Sequence, residues 1–448
     1  GSMVLLPMGS AGIRTCAPVF AANQISDSTA EGKTRVETYF IWIQALYGCG
    51  TSFGIGFLST HALQGDFGFC SAYIIAGGCM AAVTLFYVYG LVRYGYQEQP
   101  AQEVSGLGAF LSHLGTLARA GVWHAYVMLL GLLAVVTAIA VNVVGQVSGW
   151  AEVPLGFAIA ALMVAGGIAL LVACSYLEVA HFEGTHVHVD DSEDVVRLAR
   201  VMRVQLVGTV AGHITNPVQY LWFQSQACQM DLRFAGSSAQ MSGSFPMLGN
   251  SLVIAAAAVL CVWLQSRSSG GGMPTNVRFC IGAGAGWAAM ALAAVLEVAR
   301  RATPLTGVVS LCAAEGVQMR EMDAAWLVLP CALTGLSQMN CSACLAYITY
   351  QYTPPLYRNF SSAFFWLMFS FLWSLVSLVN RSLREFTPDD LDTGHLEHVY
   401  VVFVGIGLLF TILFWGFSAN LERIVAADDL RKEGLGPDDP AWVRLPSW

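Results

Sequence analysis

Charge is what this sequence has least of. Only 11% of its 448 residues are Asp, Glu, Lys or Arg, 56% are hydrophobic, and mean hydropathy is +0.60. Soluble domains carry about 25% charged residues, so a water-soluble globular protein is excluded and a polytopic membrane protein is indicated. The formal charge of -8 lies largely in loops and tails, and no basic tract speaks for a nucleic-acid partner. Catalytic signatures are missing too: there is no H-E-x-x-H, no G-x-S-x-G and no pair of intramembrane aspartates. An intramembrane enzyme is therefore the weakest functional class, and no cofactor is expected. The twelve cysteines are scattered, mostly through apolar segments, and read as packing groups rather than a disulfide framework.

What is present is a series of apolar runs long enough to span a bilayer. They fall at 3–25, 38–60, 67–92, 122–146, 154–178, 204–226, 247–266, 278–299, 324–350, 359–380 and 394–418. Between the third and fourth, Val104, Leu107, Phe110, Leu111, Leu114 and Leu117 recur at helical spacing, which predicts a surface helix in the membrane interface. The polar stretch from His181 to Arg203 then separates five spans from six. Of the 21 Lys and Arg, fourteen fall on one set of loops, six on the other and one inside a span. The positive-inside rule places the richer set, with the C-terminus, in the cytoplasm. The N-terminus then falls outside with no signal peptide ahead of it, which leads one to expect further spans upstream.

The one cation within a span is Arg14. A guanidinium at that depth is costly unless it snorkels to the interface or faces a polar cavity. Gly9, Ala11 and Gly12 beside it permit close approach of a backbone or ligand, which favours the cavity. Arg14 is accordingly expected to be the most buried arginine, facing the sixth span and Gln338. His213, near Asn216 and Pro217, is either a structural histidine at a proline kink or a titrating group in the same cavity. Gln219, Trp222, Gln224 and Gln226 crowd that helix and could line it. His181, Glu183, His186, His188, Asp190 and Asp191 share one loop, but their spacing matches no closed zinc pattern, so no metal is assigned. Cys341 and Cys344 form a C-x-x-C in mid-span, where helix packing is the simpler reading.

The run GSAGIRTCAPVFAANQ resembles the fourth helix of the proton-dependent oligopeptide transporter family, a branch of the major facilitator superfamily. Arg14 falls where that family has a Lys contacting the substrate carboxylate, and Asn23-Gln24 falls on an Asp-Gln pair. FIWIQALYGCGTSFG is similar to a degraded F-Y-x-x-I-N-x-G-S signature. Ser225–Met230 looks like the Ser-Gln-Ala-x-x-Met of some members, and Asn250-Ser251 sits where an Asn-Pro is common. In the ninth run Tyr350, Pro354 and Arg358 match Tyr-x-x-x-Pro and a basic residue, which puts Gln338 where the family has a Glu associated with the substrate amine.

The resemblance covers family helices four to twelve, with no counterpart to helices one to three or to their Glu-x-x-Glu-Arg-Phe motif. It implies an all-α polytopic membrane protein, an incomplete major-facilitator-type bundle of about eleven transmembrane helices. The expected parts are a partial N-terminal half at 3–92 and, at 93–203, a surface helix, an extra helix pair and a linker. A six-helix C-terminal half follows at 204–420, then a cytoplasmic tail at 421–448. The implied function is transport of a small peptide or anionic small molecule, with Arg14, Trp222, Asn250 and Gln338 binding it and His213 a coupling candidate. Two acids have become the amides Asn23 and Gln338, which cannot carry a proton, so coupling is expected to be impaired or altered. The alternative is a non-transporting scaffold subunit of a larger membrane complex. Either way a partner chain could cover the face that missing helices leave.

Overall fold

In the computed structural model the described residues are 14–25, 29–58, 68–94, 105–148, 153–183, 185, 187, 189–233, 239–267 and 273–432. A helix stands at each of the eleven apolar runs, the first of them, α1, described over 14–22. The next elements are α2 (Ala30–Phe53, continued by a π turn at Gly54–Leu58), α3 (Gly68–Tyr94), α4 (Gly106–Arg119), α5 (Trp123–Ser148) and α6 (Val153–Tyr176). Then come α7 (Val189–His213), the short α8 (Thr215–Val218), a π turn at Gln219–Phe223 and α9 (Gln224–Cys228). The chain closes with α10 (Met247–Arg267), α11 (Thr275–Ala302), α12 (Val328–Tyr352), α13 (Arg358–Ser382) and α14 (Leu396–Lys432).

Seven of these, α3, α5, α6, α10, α11, α13 and α14, are long and apolar enough by themselves to cross a membrane. α2, α7 and α12 carry more polar residues. α7 and α12 compensate by burial: α12 buries fifteen residues, among them Thr334, Ser337, Asn340 and Thr349. A helix that is polar for a membrane span belongs where other helices shield it. α12 accordingly packs against α2, α7, α10 and α11.

α7 starts well before the 204 expected from hydropathy. Its first turns hold Asp190, Asp191, Glu193 and Asp194, acids that complement the positive end of the helix dipole. Val195, Val196, Leu198, Ala199, Val201 and Met202 are buried in the main core, so the stretch read as a polar linker is largely a core helix. At the other end α14 runs on past 420 to Lys432, with Leu421 and Val425 still buried, so the tail begins later than expected.

α4 is the amphipathic helix that its spacing predicts, capped by Ser105 Oγ accepting from the Gly108 amide at 3.1 Å. Phe110, Leu114 and Leu117 are buried, Phe110 against Phe360, while Leu107 and Leu111 stay exposed. The pair α5–α6 joins the bundle through α13 and α7. A Cβ on Gly167 would lie 2.3 Å from the Phe371 ring, so only glycine lets α6 seat there. α3 differs from all of these, with large apolar side chains such as Tyr73, Ile74, Phe86 and Val92 exposed around it.

Between α11 and α12 a two-stranded antiparallel hairpin forms, β1 (Leu305–Val309) with β2 (Gln318–Arg320). Cys312, in its loop, is disulfide-bonded to Cys228 at the end of α9. The packing role read for all the cysteines is therefore wrong for this pair, which lie 84 residues apart in sequence and meet only because the hairpin folds back. The other ten are free, Cys341 and Cys344 among them. Cys341 Sγ donates to the Phe279 carbonyl at 3.4 Å and Cys344 Sγ accepts from Arg278 Nε at 2.9 Å, which are packing contacts between helices.

The most buried arginine is Arg300, fully enclosed, and not Arg14. Arg300 donates to Glu297 through Nε at 3.0 Å and Nη2 at 2.7 Å, and to Asp392 through Nη1 at 2.8 Å. Asp392 also accepts from Arg320 Nε at 2.9 Å. A buried guanidinium survives where carboxylates neutralise it, and Glu297 on α11 and Asp392 in the turn before α14 supply them. Arg14 has no carboxylate among the described residues and keeps partial access to the cavity.

Candidate substrate cavity

A cavity of about 610 Å³ opens between the N-terminal helices and α7, α8, α12 and α13. From α1 and α2 come Arg14, Gln44, Tyr47, Gly48, Thr51 and Ser52, with Ile55 from the following π turn. His213, Asn216 and Tyr220 enter from the broken helix, Gln338, Met339 and Ser342 from α12, and Phe365, Trp366, Phe369, Ser370 and Trp373 from α13. Its volume is that of a small-molecule site, roughly 300–1,000 Å³.

Arg14 is held by aromatic residues rather than by acids. Its guanidinium carbon lies 4.7 Å from the Tyr47 ring centroid and 5.3 Å from that of Trp366. Trp366 Nε1 donates to the Arg14 carbonyl at 2.8 Å, and Ser362 Oγ donates to the Thr15 carbonyl at 2.9 Å, fixing α1 on α13. Stacking on ring faces leaves the edges of a guanidinium, where its N–H groups point, for a carboxylate or phosphate.

Pro217 lacks an amide donor and interrupts the helical ladder; the π turn follows it directly. Such turns are frequent at functional sites. Here the break lets Asn216 and Tyr220 line the cavity. Gln338 Nε2 donates to Asn216 Oδ1 at 2.5 Å, joining α12 to the break. His213 Nε2 is 2.7 Å from Ser342 Oγ, and its ring meets Phe369 edge-on at 4.9 Å. Tyr220 and Trp373 stack at 6.3 Å.

Arg14, His213 and Gln338 therefore line one cavity, and Trp222 and Asn250 do not. Trp222 Nε1 donates to Asn380 Oδ1 at 3.1 Å. Asn250 is fully buried, donates to Gln219 Oε1 at 3.1 Å and has Gly335 packed against its backbone. Gln226 is committed to the Ala293 carbonyl and the Tyr400 hydroxyl, and Gln224 to Met247. The amides of this stretch tie helices together because the π turn aims them at α10, α11 and α14. Sequence reasoning missed Tyr47 and the wall from Phe365 to Trp373. The only signal was aromatic crowding within one apolar run. In the acidic loop His186 and His188 lie outside the described residues, and His181 caps a short turn by accepting from the Glu178 amide at 3.0 Å.

Against protein-family models and curated proteins the sequence finds no match. Solved structures do match. One is an auto-inhibited POT family peptide transporter, with a TM-score of 0.58, 20% identity and 91% of this chain aligned to 74% of that chain. Another is the POT family transporter PepTSo, with a TM-score of 0.59, 16% identity and 92% of this chain aligned to 76% of that chain. The chain is an integral, multi-pass, all-α membrane protein with the fold of these transporters. That fold is the one expected from the resemblance to oligopeptide transporters.

Proposed function

We propose that this chain binds a small peptide or anionic small molecule in the cavity around Arg14 and is transporter-like, with impaired or altered proton coupling. The observation that carries the reading is the position of Arg14. It is a cation in a cavity enclosed by helices from both ends of the chain, with no carboxylate among the described lining residues. A proton symporter needs a buried group that changes protonation during its cycle. At the two positions that the family resemblance singles out for acids, this chain has Asn23 and Gln338. Glu297, buried elsewhere, is tied to Arg300. His213 is the one titratable imidazole of the cavity among the described residues.

The C-terminus is assigned to the cytoplasm. The disulfide supports this, because Cys228 and Cys312 lie on the loop side with fewer basic residues, the side expected to face an oxidising compartment. The units proposed are the partial N-terminal half, the surface helix with the extra pair, the six-helix half and the tail. The exposed circumference of α3 favours a second reading, a subunit whose α3 is covered by a partner chain in a larger assembly.

Proteoliposomes with an imposed pH gradient test the coupling. Concentrative uptake of di- and tripeptides is expected to be absent, and Gln338→Glu alone should not restore it. Robust gradient-driven accumulation by the unmodified chain would overturn the proposal and make His213 the first residue to replace.

A further inference from the structure

We infer that the cavity selects small monoanions with an apolar or aromatic body and no free amine, such as N-acylated amino acids, over zwitterionic amino acids and peptides. This rests on the reading of the cavity as the substrate site. Among the described lining residues there is one permanent charge, the guanidinium of Arg14. A carboxylate bound there gains two parallel charge-assisted hydrogen bonds from the exposed guanidinium edge. The ammonium of a zwitterion would have to leave water as well, and a buried charge without an opposite charge is strongly unfavourable.

Around Gln338 the cavity offers neutral groups instead. Gln338 gives Nε2 to Asn216 Oδ1 at 2.5 Å, which leaves Gln338 Oε1 as an acceptor and Asn216 Nδ2 as a donor. One acceptor beside one donor complements a secondary amide, which has one N–H and one C=O. Aromatic faces could in principle hold an ammonium. Here, however, Tyr47 and Trp366 already flank Arg14, and Tyr220 and Trp373 stack on each other. Phe365 and Phe369 complete a wall suited to an uncharged ring.

The test is calorimetric titration of the full-length protein in nanodiscs with four probes: N-acetylphenylalanine, phenylalanine, Ala-Phe and N-acetylphenylalanine amide. N-acetylphenylalanine should bind with a Kd at least about tenfold below that of phenylalanine or Ala-Phe, and the neutral amide should not bind measurably. Arg14→Gln should abolish the binding of N-acetylphenylalanine, while Arg14→Lys keeps a weakened form of it. Gln338→Glu should invert the preference, weakening N-acetylphenylalanine and tightening Ala-Phe by about tenfold each. Arg14-dependent binding of Ala-Phe as tight as that of N-acetylphenylalanine would overturn this inference and leave the substrate cavity standing. No Arg14-dependent binding of any probe would overturn both.

Discussion

The guanidinium carbon of Arg358 lies 4.1 Å from the centroid of the Tyr350 ring, and Nη1 of the same arginine donates to the Tyr350 hydroxyl at 3.0 Å. Both side chains converge on Asn23, whose Oδ1 accepts from Tyr350 at 2.8 Å and from Arg358 at 3.2 Å. This three-residue clasp fastens the end of α1 to α12 and α13. Asn23→Leu removes the shared acceptor and should lower stability by about 1–3 kcal/mol. Asn23→Asp puts a carboxylate against Arg358 and should raise it. Thermal unfolding of the purified protein in detergent checks both signs, and equal melting of the two variants would refute the clasp.

Trp366 supports Arg14 twice, through its ring and through Nε1. Trp366→Phe keeps a ring face but loses the hydrogen bond to the Arg14 carbonyl. Anion affinity should fall about three- to tenfold, the equivalent of one hydrogen bond of about 1 kcal/mol. Melting temperature should change little. An unaltered Kd would show that Arg14 is positioned without the indole.

The buried charges at the end of α11 predict a larger effect. Arg300→Leu leaves the fully buried Glu297 only the looser pairing with Arg301, at 3.9 Å, and should cost about 3–5 kcal/mol. Adding Glu297→Gln to that variant should recover much of the loss, because the weakly paired charge is gone. A double variant no more stable than the single one would contradict the account.

Removing the disulfide by Cys228→Ser with Cys312→Ser should lower stability by about 2–4 kcal/mol. After reduction, a membrane-impermeant maleimide applied to intact cells or vesicles, followed by mass mapping, should label Cys228 and Cys312. A protease should reach the C-terminal tail only from the opposite face. Labelling from the same side as tail cleavage would invert the proposed orientation.

The helices were legible in the sequence because hydropathy reports length and apolarity, and both are local. The start of α7 was not, since Asp190 to Arg203 averages to a polar stretch whose apolar face shows only when Val195, Leu198 and Met202 meet the core. The Cys228–Cys312 bond depends on a hairpin that no local pattern announces. Arg14, His213 and Gln338 were legible as polar residues in apolar surroundings. Trp222 and Asn250 drew the same inference wrongly, because a membrane helix uses such residues to hold its neighbours as often as to face a cavity. The aromatic wall of α13 was concealed for the opposite reason: in a run of Phe, Trp and Leu, lining residues and lipid-facing ones have the same composition.

The seat of Phe371 in the surface of α6 at Gly167 has a mechanical consequence. A ring seated this closely on glycine backbone resists sliding of α6 along α13. The antiparallel pair α5–α6 is thereby coupled to a wall of the cavity, the helix that carries Trp366 and Trp373. If the proposed transport reading holds, a change in the gap between α2 and α13 should carry this pair with it through the lipid. On that reading the pair would act as ballast on one side, and the stiffness or thickness of the surrounding bilayer should set how quickly the cavity opens.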